Sequence, residues 1–278
     1  MRAPGNDSDT RGARRGGGAR RLARIAVAAL SMLPLAARPA DYVDVPAGSL
    51  VSAIAAGIDN ASVPVAAFSM RVVPVTQAEF KAFVAGHPQW RRDRVPRTFA
   101  DASYLHSWRA AEAPEDAVDG DSPVVDVSWF AAEAYCESED ARLPTWMEWE
   151  YTAASDATRR DARDDPAWRA KILGWYAQPA SDALRAVGDR PNVYGVRDLH
   201  GLVWEWVDDF NALLVDADSR SGGDPDKLKF CGAGAIDLQD RANYAVLMRI
   251  ALLSSLAASD STGSLGFRCA RPHPPETP

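Results

Sequence analysis

The run RLPTWMEWEY at residues 142–151 decides the fold, together with NVYGVRDLHGLVWEW at residues 192–206. In the first, Thr145 stands where a helix begins and Glu148 follows three residues later. That pair forms a capping box, which satisfies two otherwise free N–H groups at a helix start. Trp149 then falls on the inner face of the helix. The second run is dense in glycine and aromatic residues. Five of the chain's nine tryptophans (Trp129, Trp146, Trp149, Trp204 and Trp206) lie in or near such stretches. Side chains of this size bury large areas and need partners for their N–H groups. A loop-rich core built on tryptophan is expected, with core packing and ligand stacking both open to individual rings.

On the N-terminal side, PVTQAEF at residues 74–80 repeats the capping pattern, with Thr76 as cap, Glu79 as its partner, and Phe80 and Phe83 on one face. Ser128 caps a further helix predicted from Trp129 to about Asp140, with Ala132, Tyr135 and Cys136 on one face. Residues 63–75 are apolar and β-rich between Pro64 and Pro74. Residues 84–122 sustain no period and read as a long surface excursion. Residues 155–190 are charged and patternless, and the tail from Phe230 to Arg271 is punctuated by glycine. There is no internal repeat. The short strands and irregular segments do not divide into two self-sufficient cores, so one α+β domain rich in irregular structure is expected.

The chain has 278 residues and a net charge of −7, unevenly spread. Residues 1–40 hold eight arginines and two acids, so the remaining 23 basic and 36 acidic residues leave −13. An acidic body argues against general nucleic-acid binding, which needs basic surface for phosphate. The first forty residues read as a signal peptide. An arginine-rich start leads to an apolar run from Ile25 to Leu35, with small residues after it and cleavage expected between Ala36 and Ala40. The run is shorter than the roughly 20 residues of a membrane span, and no later segment is long and apolar enough. Arg20-Arg21 leaves twin-arginine and general secretory export both open. A periplasmic or secreted location follows, in an oxidising compartment. With three cysteines (Cys136, Cys231 and Cys269) at most one bridge forms within the chain.

The stretches at 74–80, 123–136 (PVVDVSW followed by AYC), 142–151 and 192–206, with the closing GFR at 266–268, resemble the formylglycine-generating-enzyme family, also called sulfatase-modifying factors. The resemblance covers residues 41–272 and leaves 273–278 as a tail. It implies a compact α+β domain related to C-type lectins. It also implies a disulfide between Cys136 and Cys269. Calcium is the cofactor it suggests, held at the turn by Gly201, Val203 and Glu205, although the family's asparagine is here Leu202. Glu205 therefore reads either as a calcium ligand or as a buried hydrogen-bond acceptor. The family's other calcium segment has no match between residues 178 and 190.

The family's oxidases carry an RGGS motif and then two cysteines five residues apart, whose thiolates bind Cu(I), a soft ion suited to sulfur. The matching stretch here is CGAGAIDLQDRA, residues 231–242. Gly234 replaces the serine, and Asp237 and Ala242 replace the cysteines. Arg249 keeps the first arginine of a following motif, and Leu253 replaces the second. No cysteine lies between 232 and 268. Copper and formylglycine formation are therefore not expected; a non-enzyme is the leading reading, and an oxidoreductase of the formylglycine-generating family stays open beside it. Cys231 is the candidate thiol, either reactive or a small buried hydrophobe. His87, His106, His200 and His273 show no metal-ligand spacing.

The leading expectation is a binding or maturation factor for a periplasmic client protein or peptide. The motif set resembles a branch associated with maturation of respiratory or copper enzymes. Arg91, Arg92, Arg94 and Trp108 of the excursion either grip that client or form a solvated face. The alternatives are a metal-dependent oxidoreductase using Cys231 or Asp237, and a lectin-like ligand-binding module.

Overall fold

A computed structural model describes residues 41–51, 62–111, 120–177, 184–212 and 244–273. The strands are β1 (Tyr42–Val45), β2 (Gly48–Val51), β3 (Ser62–Val65), β4 (Phe68–Arg71), β5 (Trp204–Glu205), β6 (Leu265–Gly266) and β7 (Ala270–Pro272). The helices are α1 (Gln77–Gly86), α2 (Trp129–Glu137), α3 (Trp146–Ala153), α4 (Pro166–Tyr176) and α5 (Tyr244–Ser254). β4 is the centre of an antiparallel sheet, order β1-β4-β7, so strands from both ends of the domain pair with the same partner. β2 and β3 form a second antiparallel pair. β5 and β6 form a short parallel pair.

The capping boxes form as the spacing predicts. Thr76 Oγ1 accepts from the Glu79 N–H at 3.3 Å, and the Thr76 N–H donates to Glu79 Oε2 at 2.8 Å. Thr145 and Glu148 repeat this at 3.2 and 2.8 Å. Glu148 is further held by a bidentate contact from Arg142, at 2.6 and 2.7 Å. Thr145→Ala removes one half of the box and leaves the Glu148 N–H without its acceptor. It is expected to lower the unfolding free energy by about 1 kcal/mol, measured by urea denaturation.

Three readings of the sequence are corrected. Helix α2 ends at Glu137 rather than near Asp140, because Asp140 turns the chain in the left-handed region with φ of 54°. The 84–122 excursion is not purely surface: Ala100, Tyr104, Leu105 and Trp108 are buried in the core. Its turns are braced by Arg92, which donates to the carbonyls of Leu105 at 2.9 Å and Trp108 at 2.6 Å. Packing through turns leaves no period to read. Helix α4 was also invisible to periodicity, because only Ile172 on it is buried. Its start is nonetheless well specified: Asp165 accepts from the Ala167 and Trp168 N–H groups, and Pro166 occupies the first turn.

Phe68, Met70, Phe80, Tyr135, Trp149, Trp206 and Phe267 share one hydrophobic core, with a small satellite of Val125, Leu202 and Val203. Beside the core, Arg71 donates to the Tyr135 hydroxyl at 3.0 Å and to Glu139 at 2.7 Å, and pairs with Glu79. This fastens β4 to α1 and α2. Gly266 has a steric reason to be glycine, since a Cβ there would meet the Val124 carbonyl oxygen at 2.5 Å.

Candidate functional site

The quoted motifs converge on one buried ion pair. Arg268 and Glu205 have side chains with 0% exposure. Arg268 Nε donates to Glu205 Oε2 at 2.7 Å and Nη2 to Oε1 at 2.8 Å. Trp149 Nε1 adds a third donor to Oε2 at 2.8 Å. The rest of the guanidinium donates to the carbonyls of Arg71, Val72 and Arg197, between 3.0 and 3.3 Å. A bidentate pair with its remaining hydrogen bonds filled is the form in which burial of two charges is tolerated. It ties the 192–206 run, the GFR segment, helix α3 and the end of β4 at one point.

This arrangement bears on the calcium turn. Gly201 lies in the left-handed region with φ of 89°, and Val203 is buried. Both Glu205 oxygens already accept from Arg268, so a divalent ion there would face a guanidinium. Calcium takes six to eight oxygens, and this donor set does not fit it. Glu205 acts here as a buried acceptor, the other of its two readings. Asp198 follows the same logic. Its buried carboxylate accepts from Arg185 Nη2 at 2.7 Å, the Gly188 N–H at 2.6 Å and the Asp189 N–H at 3.2 Å. The 184–190 segment is thus tied to Asp198 by its own donors.

The tryptophans divide between core and half-buried positions. Trp149, Trp206 and Trp146 are buried, and Trp206 Nε1 donates to the Val127 carbonyl at 2.9 Å. Trp129 is half-buried and donates to the Val207 carbonyl at 3.0 Å. Trp204 is half-buried against Trp175 and Tyr176 of α4. Arg249 is buried over the ring of Trp149, 3.0 Å from its centroid, with Glu150 Oε1 at 3.2 Å. Burial pulls the Arg249 guanidinium below its ordinary value and pushes the Glu150 carboxyl up, each partly offset by the other.

Of the excursion residues expected to grip a client, Trp108 is buried and donates to Gln77 Oε1 at 2.7 Å. Arg92 is spent on backbone carbonyls and Arg91 pairs with Asp93. Arg94 is exposed. Cys136 and Cys269 form a disulfide, with an S–S distance of 1.99 Å. Cys231, Asp237 and Ala242 lie outside the described residues, as do residues 1–40. Among the described residues no group of three or more His, Cys, Asp or Glu side chains is placed to hold a metal. His200 is packed edge-on to Trp149 and Trp168, and burial pushes its imidazole down to about 3. No helix among the described residues is long and apolar enough to cross a membrane.

Fold and site together define an α+β domain whose loops are stapled by a disulfide and by a tryptophan-lined ion pair. The chain belongs to the sulfatase-modifying factor family: residues 31–273 match the Sulfatase-modifying factor enzyme 1-like domain. It is 31% identical over 220 residues to a formylglycine-generating enzyme of Streptomyces coelicolor, covering 72% of this chain and 66% of that protein. It is 32% identical over 167 residues to a hercynine oxygenase of Mycolicibacterium smegmatis, covering 52% of this chain and 38% of that protein. It is also 30% identical over 177 residues to the inactive C-alpha-formylglycine-generating enzyme 2 of Bos taurus, covering 59% and 55%. The matches thus span from about two fifths to just under two thirds of these relatives' own lengths.

Proposed function

We propose that this chain is an exported member of the family that binds a client polypeptide and lacks the formylglycine-generating oxidase. It serves as a binding or maturation factor for a periplasmic enzyme, of the respiratory or copper-containing kind. The observation that carries this reading is the cysteine account. The chain has three cysteines, and Cys136 and Cys269 are joined to each other. Cys231 is therefore the one thiol left to meet a soft metal. A two-thiolate Cu(I) site needs two sulfurs side by side, while the matching positions carry Asp237 and Ala242. Export is supported by the arginine-rich and apolar character of residues 1–40. A structural disulfide also fits an oxidising compartment. The similarity to a mammalian relative named inactive gives the family a precedent for a scaffold kept without that chemistry.

The test uses the mature protein with Cu(I), oxygen and a peptide carrying the CxPxR sequence of sulfatase clients. Mass spectrometry is expected to show the peptide thiol intact and no aldehyde. Alkylation of the denatured, unreduced protein is expected to label Cys231 alone. Aldehyde formation, or alkylation of all three cysteines without reduction, would overturn the reading. The similarity to a hercynine oxygenase favours one competing reading, an oxidoreductase with different chemistry. Stoichiometric iron or copper in the purified protein, with oxygen uptake, would establish it instead.

A further inference from the structure

A groove of about 380 Å³ runs between the 88–99 segment and the outward side of α2. Trp90, Val95, Pro96, Phe99 and Phe130 make its walls. The rings form an edge-on ladder: Trp90 against Phe99 at 6.3 Å, Phe99 against Phe130 at 5.1 Å, and Phe130 against Trp129 at 5.6 Å between centroids. Phe99 remains 43% exposed. An aromatic concavity with an exposed phenylalanine offers apolar surface that a partner can cover.

The groove also contains acid. Glu133 and Glu137, one helical turn apart on α2, both line it. Glu133 is half-buried; the Leu143 backbone donates to its carboxyl, while its Oε2 is shut off from solvent with no hydrogen-bond partner among the described residues. Burial pushes this carboxyl up, as does the neighbouring Asp208 carboxylate. The nearby cation, Arg142, is already held by both oxygens of Glu148. Glu137 is exposed and lines the same groove, where its carboxylate can meet a cation. The charge balance of the body, −13 beyond residue 40, disfavours an anionic occupant such as a nucleic acid or an acidic lipid surface.

We infer that this groove docks a polypeptide segment of the client that presents a lysine or arginine beside an apolar residue. The apolar side chain packs on Phe99 and Phe130. The ammonium or guanidinium donates to the exposed Glu137 carboxylate, with aromatic faces within reach for a cation–π contact. This inference rests on the polypeptide-binding reading above and names what is bound. It also moves the recognition surface, from the arginines of the excursion to the apolar residues between them.

The experiment measures binding of two short peptides to the mature full chain by calorimetry: acetyl-Phe-Lys-Phe-amide and acetyl-Phe-Glu-Phe-amide. The lysine peptide is expected to bind about tenfold tighter than the glutamate peptide, the size of a hydrogen bond to a charged group. Phe99→Ala and Glu137→Gln are each expected to weaken the lysine peptide about fivefold or more. Phe99 is exposed, so its variant should keep the parent's melting temperature and circular dichroism. Equal affinity for both peptides, no binding of either, or unchanged affinity in both variants would overturn the inference. Such a failure, with the CxPxR thiol still intact, removes the groove and leaves the non-oxidase reading standing. Aldehyde formation removes that reading whatever these peptides do.

Discussion

Replacing Arg268 by methionine is expected to lower the unfolding free energy by about 3–5 kcal/mol, because it strands a buried carboxylate without its cation. The Glu205 side chain has no exposed surface, and after the substitution only Trp149, among the described residues, would donate to it. Three backbone carbonyls, of Arg71, Val72 and Arg197, would lose their donor as well. For a domain of this size such a loss lowers the melting temperature by about 10 °C or more. The double variant Arg268→Met with Glu205→Leu removes both charges and should recover part of the loss, since apolar replacement of a whole buried pair is often close to neutral. A single-variant loss below about 1 kcal/mol would show that the pair is not the fastening point described here. The parent protein also allows a direct check on calcium. Because Arg268 occupies both carboxylate oxygens, millimolar calcium and a chelator are expected to leave the melting temperature unmoved. A rise of several degrees with calcium would reinstate Gly201, Val203 and Glu205 as an ion site.

What could be read ahead of the structure was what is local. The capping boxes at Thr76 and Thr145 are formed by residues three apart, and both are present. The inward face of α2 is equally local, and Ala132, Tyr135 and Cys136 are buried. Partnerships between distant residues were not legible. Glu205 and Arg268 stand 63 residues apart, and Arg71 and Glu139 stand 68 apart; in sequence Glu205 reads as a calcium ligand or a buried acceptor, and nothing near Glu139 names its partner. The family resemblance brought the right segments together but suggested an ion where the structure has a guanidinium. The groove was hidden for a related reason. Trp90, Val95, Pro96 and Phe99 are spread among arginines without any period, and their partner Phe130 sits beside a tryptophan at a helix start. Only the folded excursion gathers them, and the same folding turns Trp108 inward and spends Arg92 on carbonyls.

Changing both Cys136 and Cys269 to alanine is expected to cost about 3–5 kcal/mol, on the loop-entropy account of a cross-link. The two residues are 133 apart in sequence, so the bridge closes a loop that spans most of the domain. The strand that follows Cys269 also has ties of its own, including Arg271 to the Glu139 carbonyl at 2.7 Å. β7 pairs with β4 through three residue pairs, and Arg142 and Ala270 exchange N–H to carbonyl bonds at 3.0 and 2.7 Å. The Arg71 N–H donates to the Cys269 carbonyl at 2.9 Å. In the variant, the amides of Arg71 and Ala270 should therefore lose hydrogen-exchange protection before those of α3. Arg268 precedes the bridge by one residue, so the cross-link and the ion pair hold the same few backbone atoms. Combining Cys136→Ala and Cys269→Ala with Arg268→Met should then cost less than the two losses added together, by about 1 kcal/mol, as expected for sites in contact. Strict additivity would mean that bridge and ion pair stabilise separate parts of the domain, and an unchanged midpoint in the cysteine variant would mean that the strand is held without the bridge.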